Sequence, residues 1–232
     1  MTQDPRNAED APEAQDGPVY FWRETHPLTG YLSQWYACPF RDPGEPSKTY
    51  KTAEHYMMHQ KALLFDDPAT GLEILRAEHP RQAKSLGRRV RAFDQRRWDA
   101  ERLRVVARGN YLKFAHPAVP GGVESLRLGT GWGPGGASSE AAGSPLVGAG
   151  GLRARLLATG GRELVEASPF DRVWGIGYRE EHAEGVGRED WGENLLGRAL
   201  MEVREIFRKE DEEERAGAEG EKQMQKKQKK KA

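Results

Sequence analysis

The chain is poor in the features that would tie it to disulfide chemistry, to a membrane or to a polyanion. One cysteine, Cys38, occurs in 232 residues. That excludes an intramolecular disulfide framework and a zinc site built from several cysteines. It also fits a reducing compartment. No apolar run approaches the ~18 residues of a membrane-spanning helix, and Met1–Pro18 has no apolar stretch of the secretory kind. Lys and Arg number 36 against 36 Asp and Glu, so net charge gives no general argument for nucleic-acid binding. No internal repeat is present. The expectation from these absences is a cytoplasmic protein without membrane partners.

What is there is uneven. Hydrophobic residues make up 37% and charged residues 31%, more polar than a typical compact domain, so part of the chain should lie outside a core. Residues 1–18 hold Asp4, Glu9, Asp10, Glu13 and Asp16 with one base, Arg6, and no aromatic. Such a segment buries too little apolar surface to offset its ordering entropy and reads as a disordered acidic arm. A second charge block begins near Lys209, acidic over Glu210–Glu214 and basic at Lys226, Lys227, Lys229, Lys230 and Lys231. It reads as a solvated, disordered tail over 209–232, with nuclear import or a nucleic-acid contact as the alternative for the lysines. Between Gly121 and Gly151 fall eleven glycines, and the stretch over about 120–151 reads as a long loop or insertion. Gly129–Gly133 lacks both the preceding strand and the Gly-Lys-Ser/Thr ending of a phosphate loop. The expected core is one domain over 19–208.

Within it, Tyr20–Trp22, Lys48–Lys51 and Glu163–Glu166 have the composition of short strands or turns. Helices are expected from Thr52, from Pro68, over Pro80–Val90, from Asp94 as cap to about Phe114, and over Leu152–Ala158. The last is the clearest: Leu195, Leu196, Ala199, Leu200, Val203, Ile206 and Phe207 form one apolar stripe. The fold class is mainly α (α+β), a helical domain with a few short strands.

Several side chains have chemical potential. Glu54, Met58, Lys61 and Phe65 share one helix face, with Glu54 and Lys61 about 10 Å apart along the axis. His55 and His59 also share a face, but no third metal ligand accompanies them. Six tryptophans are many for so polar a chain. Trp98 and Trp174 stand in charged or glycine-rich settings where an indole can wall a flat heterocycle. Asn194 opens the last helix as an N-cap, where free N–H groups also suit a phosphate or a sugar.

Taken in order, the pieces form a pattern. Phe21-Trp22 is followed by Gly30–Trp35, Thr52–Tyr56, Gln60-Lys61, Ala83-Lys84, Gly87-Arg88, Arg97-Trp98 and Lys113-Phe114. Then come Leu156–Thr159, Leu164–Glu166, Asp171, Trp174–Gly177, Gly192–Gly197 and Leu200–Arg204. This ordered set resembles the YbiA-like, or NADAR, family of N-glycosidases and covers nearly all of the proposed core. Two departures stand out. Ser33-Gln34-Trp35 replaces the family's usual Ser-Asn-Phe, and the glycine-rich stretch looks inserted.

The resemblance implies hydrolysis of the bond between a ribose anomeric carbon and a base nitrogen. The substrate it favours is a phosphoribosylamino-pyrimidine intermediate of riboflavin synthesis. The alternatives are an ADP-ribosyl-guanine glycohydrolase or a non-catalytic module that binds ADP-ribose or a nucleotide. By similarity Glu54, Lys61, Trp98 and Asp171 fall at active-site positions, and Arg23, Ser33, Arg88, Trp174 and Asn194 are candidate substrate contacts. Carboxylates suit such a reaction because positive charge develops at the anomeric carbon. A lysine there either holds phosphate or attacks the opened sugar as a neutral amine. The route calls for no metal and no organic cofactor.

Overall fold

The structure is a computed structural model that describes residues 17–118 and 151–229. The acidic arm to Asp16 and almost all of the glycine-rich stretch, Trp132 included, lie outside the described residues. Among the described residues four short strands and seven α-helices follow in order. The strands are β1 (Val19–Phe21), β2 (Phe40–Arg41), β3 (Thr49–Tyr50) and β4 (Leu164–Glu166). The helices are α1 (Ala53–Leu64), α2 (Pro68–Arg76), α3 (Pro80–Gly87), α4 (Gln95–Ala115), α5 (Gly151–Leu157), α6 (Glu180–Ala183) and α7 (Leu195–Lys229). β1 pairs with β4 in parallel, and β2 with β3 antiparallel. Among the described residues no helix is long and apolar enough to cross a membrane.

Local chemistry sets the helix starts. The Thr52 side chain accepts from His55 N–H and opens α1; Asp67 does the same for Thr70 at α2 and Asp94 for Arg97 at α4. Pro68 and Pro80 sit in the first turn of α2 and α3, where a missing N–H costs nothing. α3 ends at Gly87, short of the expected Val90. A Cβ at Gly87 would collide with the Met58 side chain, so glycine lets α3 approach α1 closely.

α1 is central. It packs against α2, α3 and α4, while α4 packs on α7, and α7 also covers β4 and α5. Leu32, Phe40, Tyr50, Ala62, Ile74, Leu112, Leu156, Leu164, Leu200, Val203 and Phe207 are fully buried in one core. The apolar stripe of α7 packs as its periodicity demands, except Ile206, which is exposed.

The C-terminal tail differs from its expectation. α7 does not end near Arg208; it continues to Lys229. The extension begins with contacts to the core: Arg153 bonds Asp211 at 2.6 Å, and the Tyr111 hydroxyl donates to Glu210 at 2.8 Å. Beyond Asp211 the described side chains are exposed. The segment contains no proline and is rich in Glu, Lys, Gln and Ala, strong helix formers, so the helix propagates without an apolar face to bury.

Candidate active site

A cavity of about 560 Å³ opens between α1, α3, the start of α4, the turn carrying Ser33–Trp35 and the segment after β4. Its size suits a nucleotide-sized ligand. Glu54, Lys61, Trp98, Asp171, Arg23, Ser33, Arg88 and Trp174 all line it. They come from six separate stretches of sequence, and the fold brings them to one place.

Glu54 lies on the cavity face of α1 and is 3% exposed. Its backbone N–H donates to Gln34 O at 3.0 Å. Its carboxylate accepts a hydrogen bond from the Trp35 side chain, while Oε1 is buried and makes no hydrogen bond within the protein. Burial lifts its pKa from the ordinary 4.5 to about 7. Lys84 and the Trp35 bond pull it back, Asp171 pushes it further up and Arg88 opposes. Gln34 and Trp35, from the Ser33–Trp35 stretch that departs from the expected pattern, thus both contact Glu54 directly.

Asp171 is held as an acceptor: its Oδ1 takes Val173 N–H at 2.9 Å and Trp174 N–H at 2.8 Å. These two bonds fix the loop that turns Trp174 toward the cavity. Lys61 stands over the Phe93 ring at 4.1 Å and the Trp98 ring at 5.6 Å. Burial lowers its pKa, and Arg88 lowers it further. Arg23 caps the Trp22 ring at 4.2 Å, and Trp22 faces Phe170 at 6.0 Å. Phe170 is 83% exposed at the rim. The Ser33 hydroxyl is engaged in its own turn, accepting from Trp35 N–H at 3.2 Å.

Asn194 is not in the cavity. It adopts a positive φ of 50° and ties α7 to β4: its Oδ1 accepts from Glu166 N–H at 3.0 Å and its Nδ2 donates to Leu164 O at 2.9 Å. The N–H groups at the start of α7 are also taken, Leu195 by Val173 O and Leu196 by Trp174 O. Asn194, expected as a substrate contact, thus stands outside the cavity lining, with its amide and the first two N–H groups of α7 engaged within the protein. Asn194 holds the scaffold under the site.

The histidine pair is structural. His55 Nδ1 bonds Thr52 Oγ1 at 2.8 Å and its Nε2 bonds Ala77 O at 3.1 Å; His59 Nδ1 bonds the Tyr50 hydroxyl at 3.1 Å. Burial lowers both to about 4, so both are neutral near pH 7. Among the described residues no group of three or more His, Cys, Asp or Glu could hold a metal ion.

Two charged residues of the cavity were matched in the sequence only as parts of motifs. Glu166 ends β4, and its Oε2 is buried without a hydrogen bond. Lys84, on the last turn of α3, is the cation that offsets both Glu54 and Glu166. The available signal for Glu166 was an acid closing an otherwise apolar strand.

The chain is thus a helical α+β domain with a cavity lined by carboxylates and tryptophans. The chain belongs to the NADAR domain family, which matches residues 20–208. It is 36% identical over 177 residues to the N-glycosidase R617 of Acanthamoeba polyphaga mimivirus, covering 75% of this chain and 85% of that protein. The N-glycosidase YbiA of Escherichia coli (strain K12) is 30% identical over 191 residues, 82% of this chain and 89% of YbiA. The riboflavin biosynthesis protein VVA0006 of Vibrio vulnificus (strain YJ016) is 30% identical over 81% of this chain, which spans 38% of that longer protein. The NMR structure of E. coli YbiA superposes with a TM-score of 0.56 at 29% identity, over 85% of this chain and 89% of YbiA.

Proposed function

We propose that the domain over 19–208 hydrolyses the N-glycosyl bond of a small nucleotide-like molecule, a phosphoribosylamino-pyrimidine intermediate of riboflavin synthesis. The observation that carries this reading is the set of carboxyls in one cavity, Glu54, Glu166 and Asp171, facing tryptophan walls and the cations Lys61, Lys84 and Arg88. The named relatives, two N-glycosidases and a riboflavin biosynthesis protein, agree with it.

Breaking the bond places positive charge on the anomeric carbon. Asp171, held in place by two N–H donors, stabilises that charge more in the transition state than in the ground state. Glu54, with its pKa at about 7, is tuned to take a proton from the attacking water near neutral pH. Trp98 and Trp174 hold the base between flat faces. Lys61 and Arg88 supply positive charge for the sugar phosphate.

One observation supports ADP-ribosyl-guanine as an alternative substrate. A second cavity of about 350 Å³ adjoins the first and shares Trp22 and Arg23 with it, leaving room for a ligand longer than a single phosphoribosyl unit. A purely binding module is disfavoured, because binding alone does not need Glu54, Lys61, Trp98 and Asp171 together in one cavity.

Chromatography of the products settles the choice. Purified protein is incubated with a phosphoribosylamino-pyrimidine and with ADP-ribosylated guanosine, with E54Q as control. Free base from the pyrimidine substrate alone is the expected result. Release from guanosine alone selects the alternative, and release from neither overturns the enzymatic reading. Borohydride trapping of a sugar adduct on Lys61 separates its two roles: an adduct marks attack by the amine, and its absence leaves the phosphate contact.

A further inference from the structure

We propose that Glu166 is the acid that protonates the leaving nitrogen, an assignment that rests on the N-glycosidase reading above. Its carboxyl reaches the cavity from the end of β4, and its Oε2 is buried with no hydrogen-bond partner in the protein. A bare carboxylate in that position is costly, because its charge has neither bulk water nor a protein donor at Oε2. A carboxylic acid has an O–H that can wait for an acceptor, and the base nitrogen of a bound substrate is one.

The backbone around it is pinned on both edges. Glu166 N–H donates to Asn194 Oδ1 at 3.0 Å, and Glu166 O accepts from Ile176 N–H at 3.0 Å. Ala167 N–H donates to Phe21 O at 2.8 Å, keeping β4 in register with β1. Such a strand end presents the carboxyl with little freedom, as proton transfer over hydrogen-bond distance requires.

Burial and neighbouring charge together decide which carboxyl keeps a proton. The groups that face Glu166 are Asp171, Glu54 and Lys84. Asp171 has its Oδ1 occupied by two N–H donors. Crowded carboxyls cannot all ionise, so one is driven up. Burial first, then Asp171, then Glu54 lift Glu166 to about 8, with Lys84 opposing.

The step balances. The C–N bond breaks with its electron pair on nitrogen, and nitrogen takes the Glu166 proton. The oxygen of water bonds to the anomeric carbon, and the proton that water loses goes to Glu54. Proton exchange with solvent then returns Glu166 to the acid and Glu54 to the base.

The test is kcat and KM against pH for wild type and E166Q on the substrate that the wild type cleaves. Wild-type kcat/KM should fall as pH rises through about 8, because the acid of the free enzyme is then ionised. E166Q should lose kcat by about 100-fold or more, hold KM within about threefold, and lack the alkaline limb. Retained kcat, or an alkaline limb that survives the substitution, overturns the assignment. Should E166Q not fold, infrared titration of E54Q reads the same proton. A carboxylic C=O band that bleaches above the ordinary carboxyl range, though below the wild-type midpoint because the Glu54 charge is gone, is expected, and a site fully ionised at pH 5 overturns it. Absence of base release by the wild type overturns the glycosidase reading itself, an outcome distinct from release that E166Q leaves unchanged.

Discussion

The two faces of α1 carry buried polar groups treated in opposite ways. On the face toward the Tyr50 and Ala77 side, His55 and His59 are buried and bonded to Thr52, Ala77 and Tyr50. On the cavity face, Glu54 is equally buried, but its Oε1 has no partner in the protein. One helix thus holds both satisfied and unsatisfied polar atoms within two turns. Satisfied buried groups hold a fold together. An unsatisfied one is a cost the fold carries elsewhere, and it points to the ligand that completes it. The same contrast separates Asn194, with both ends of its amide bonded to β4, from Glu166, whose Oε2 is bare.

The largest effect that sharpens this contrast is expected at Asp171. D171N keeps an oxygen to accept Val173 and Trp174 N–H, so the loop survives, but it removes the charge. Steady-state kinetics should show kcat lower by about 100-fold or more, with circular dichroism unchanged. A variant of normal turnover would take Asp171 out of the mechanism. K61M should act mainly through binding, raising KM by about tenfold for the loss of one charge-assisted contact.

The histidine face should answer in stability instead. H59L should keep kcat within about threefold while shifting the denaturation midpoint. The pH dependence has a definite sign. His55 and His59 have folded values of about 4 against an ordinary 6.5, so the unfolded chain binds more protons between those limits. Their contribution is complete above pH 6.5 and is lost as pH falls toward 4, by up to about 1.4 kcal/mol per pH unit for each. Glu54 works the other way: its raised value means that stability declines as pH rises from 4.5 to about 7. Urea titrations of wild type, H59L and E54Q across this range should show slopes of opposite sign removed by the two substitutions. Equal behaviour of both variants would break the comparison. Smallest of all, deletion of everything after Asp211 should leave kcat within about twofold, because that part of α7 contacts neither the core nor the cavity.

Much of this was legible in the residues. Caps and prolines marked the starts of α1 to α4, and the apolar stripe over Leu195–Phe207 marked the packed part of α7. Glu54 and Lys61 were legible as a pair because helical spacing puts them on one face. Glu166 was harder to read, since a strand of three residues shows no period, and only parallel pairing with β1 turns its end toward the cavity. Asn194 was misplaced because an Asn before a helix has the residue type of an N-cap, whereas tertiary bonds to Leu164 and Glu166 claimed its amide. The tail was read by charge alone, and its helix-forming composition prevailed.

The most direct test of the central claim is a single-turnover rate and a calorimetric Kd for wild type and E54Q on the cleaved substrate. The account predicts Kd within about threefold and a rate lower by about 100-fold or more, as expected of a group that acts in the transition state. A rate and an affinity that fall together, or a rate that does not fall, would contradict it.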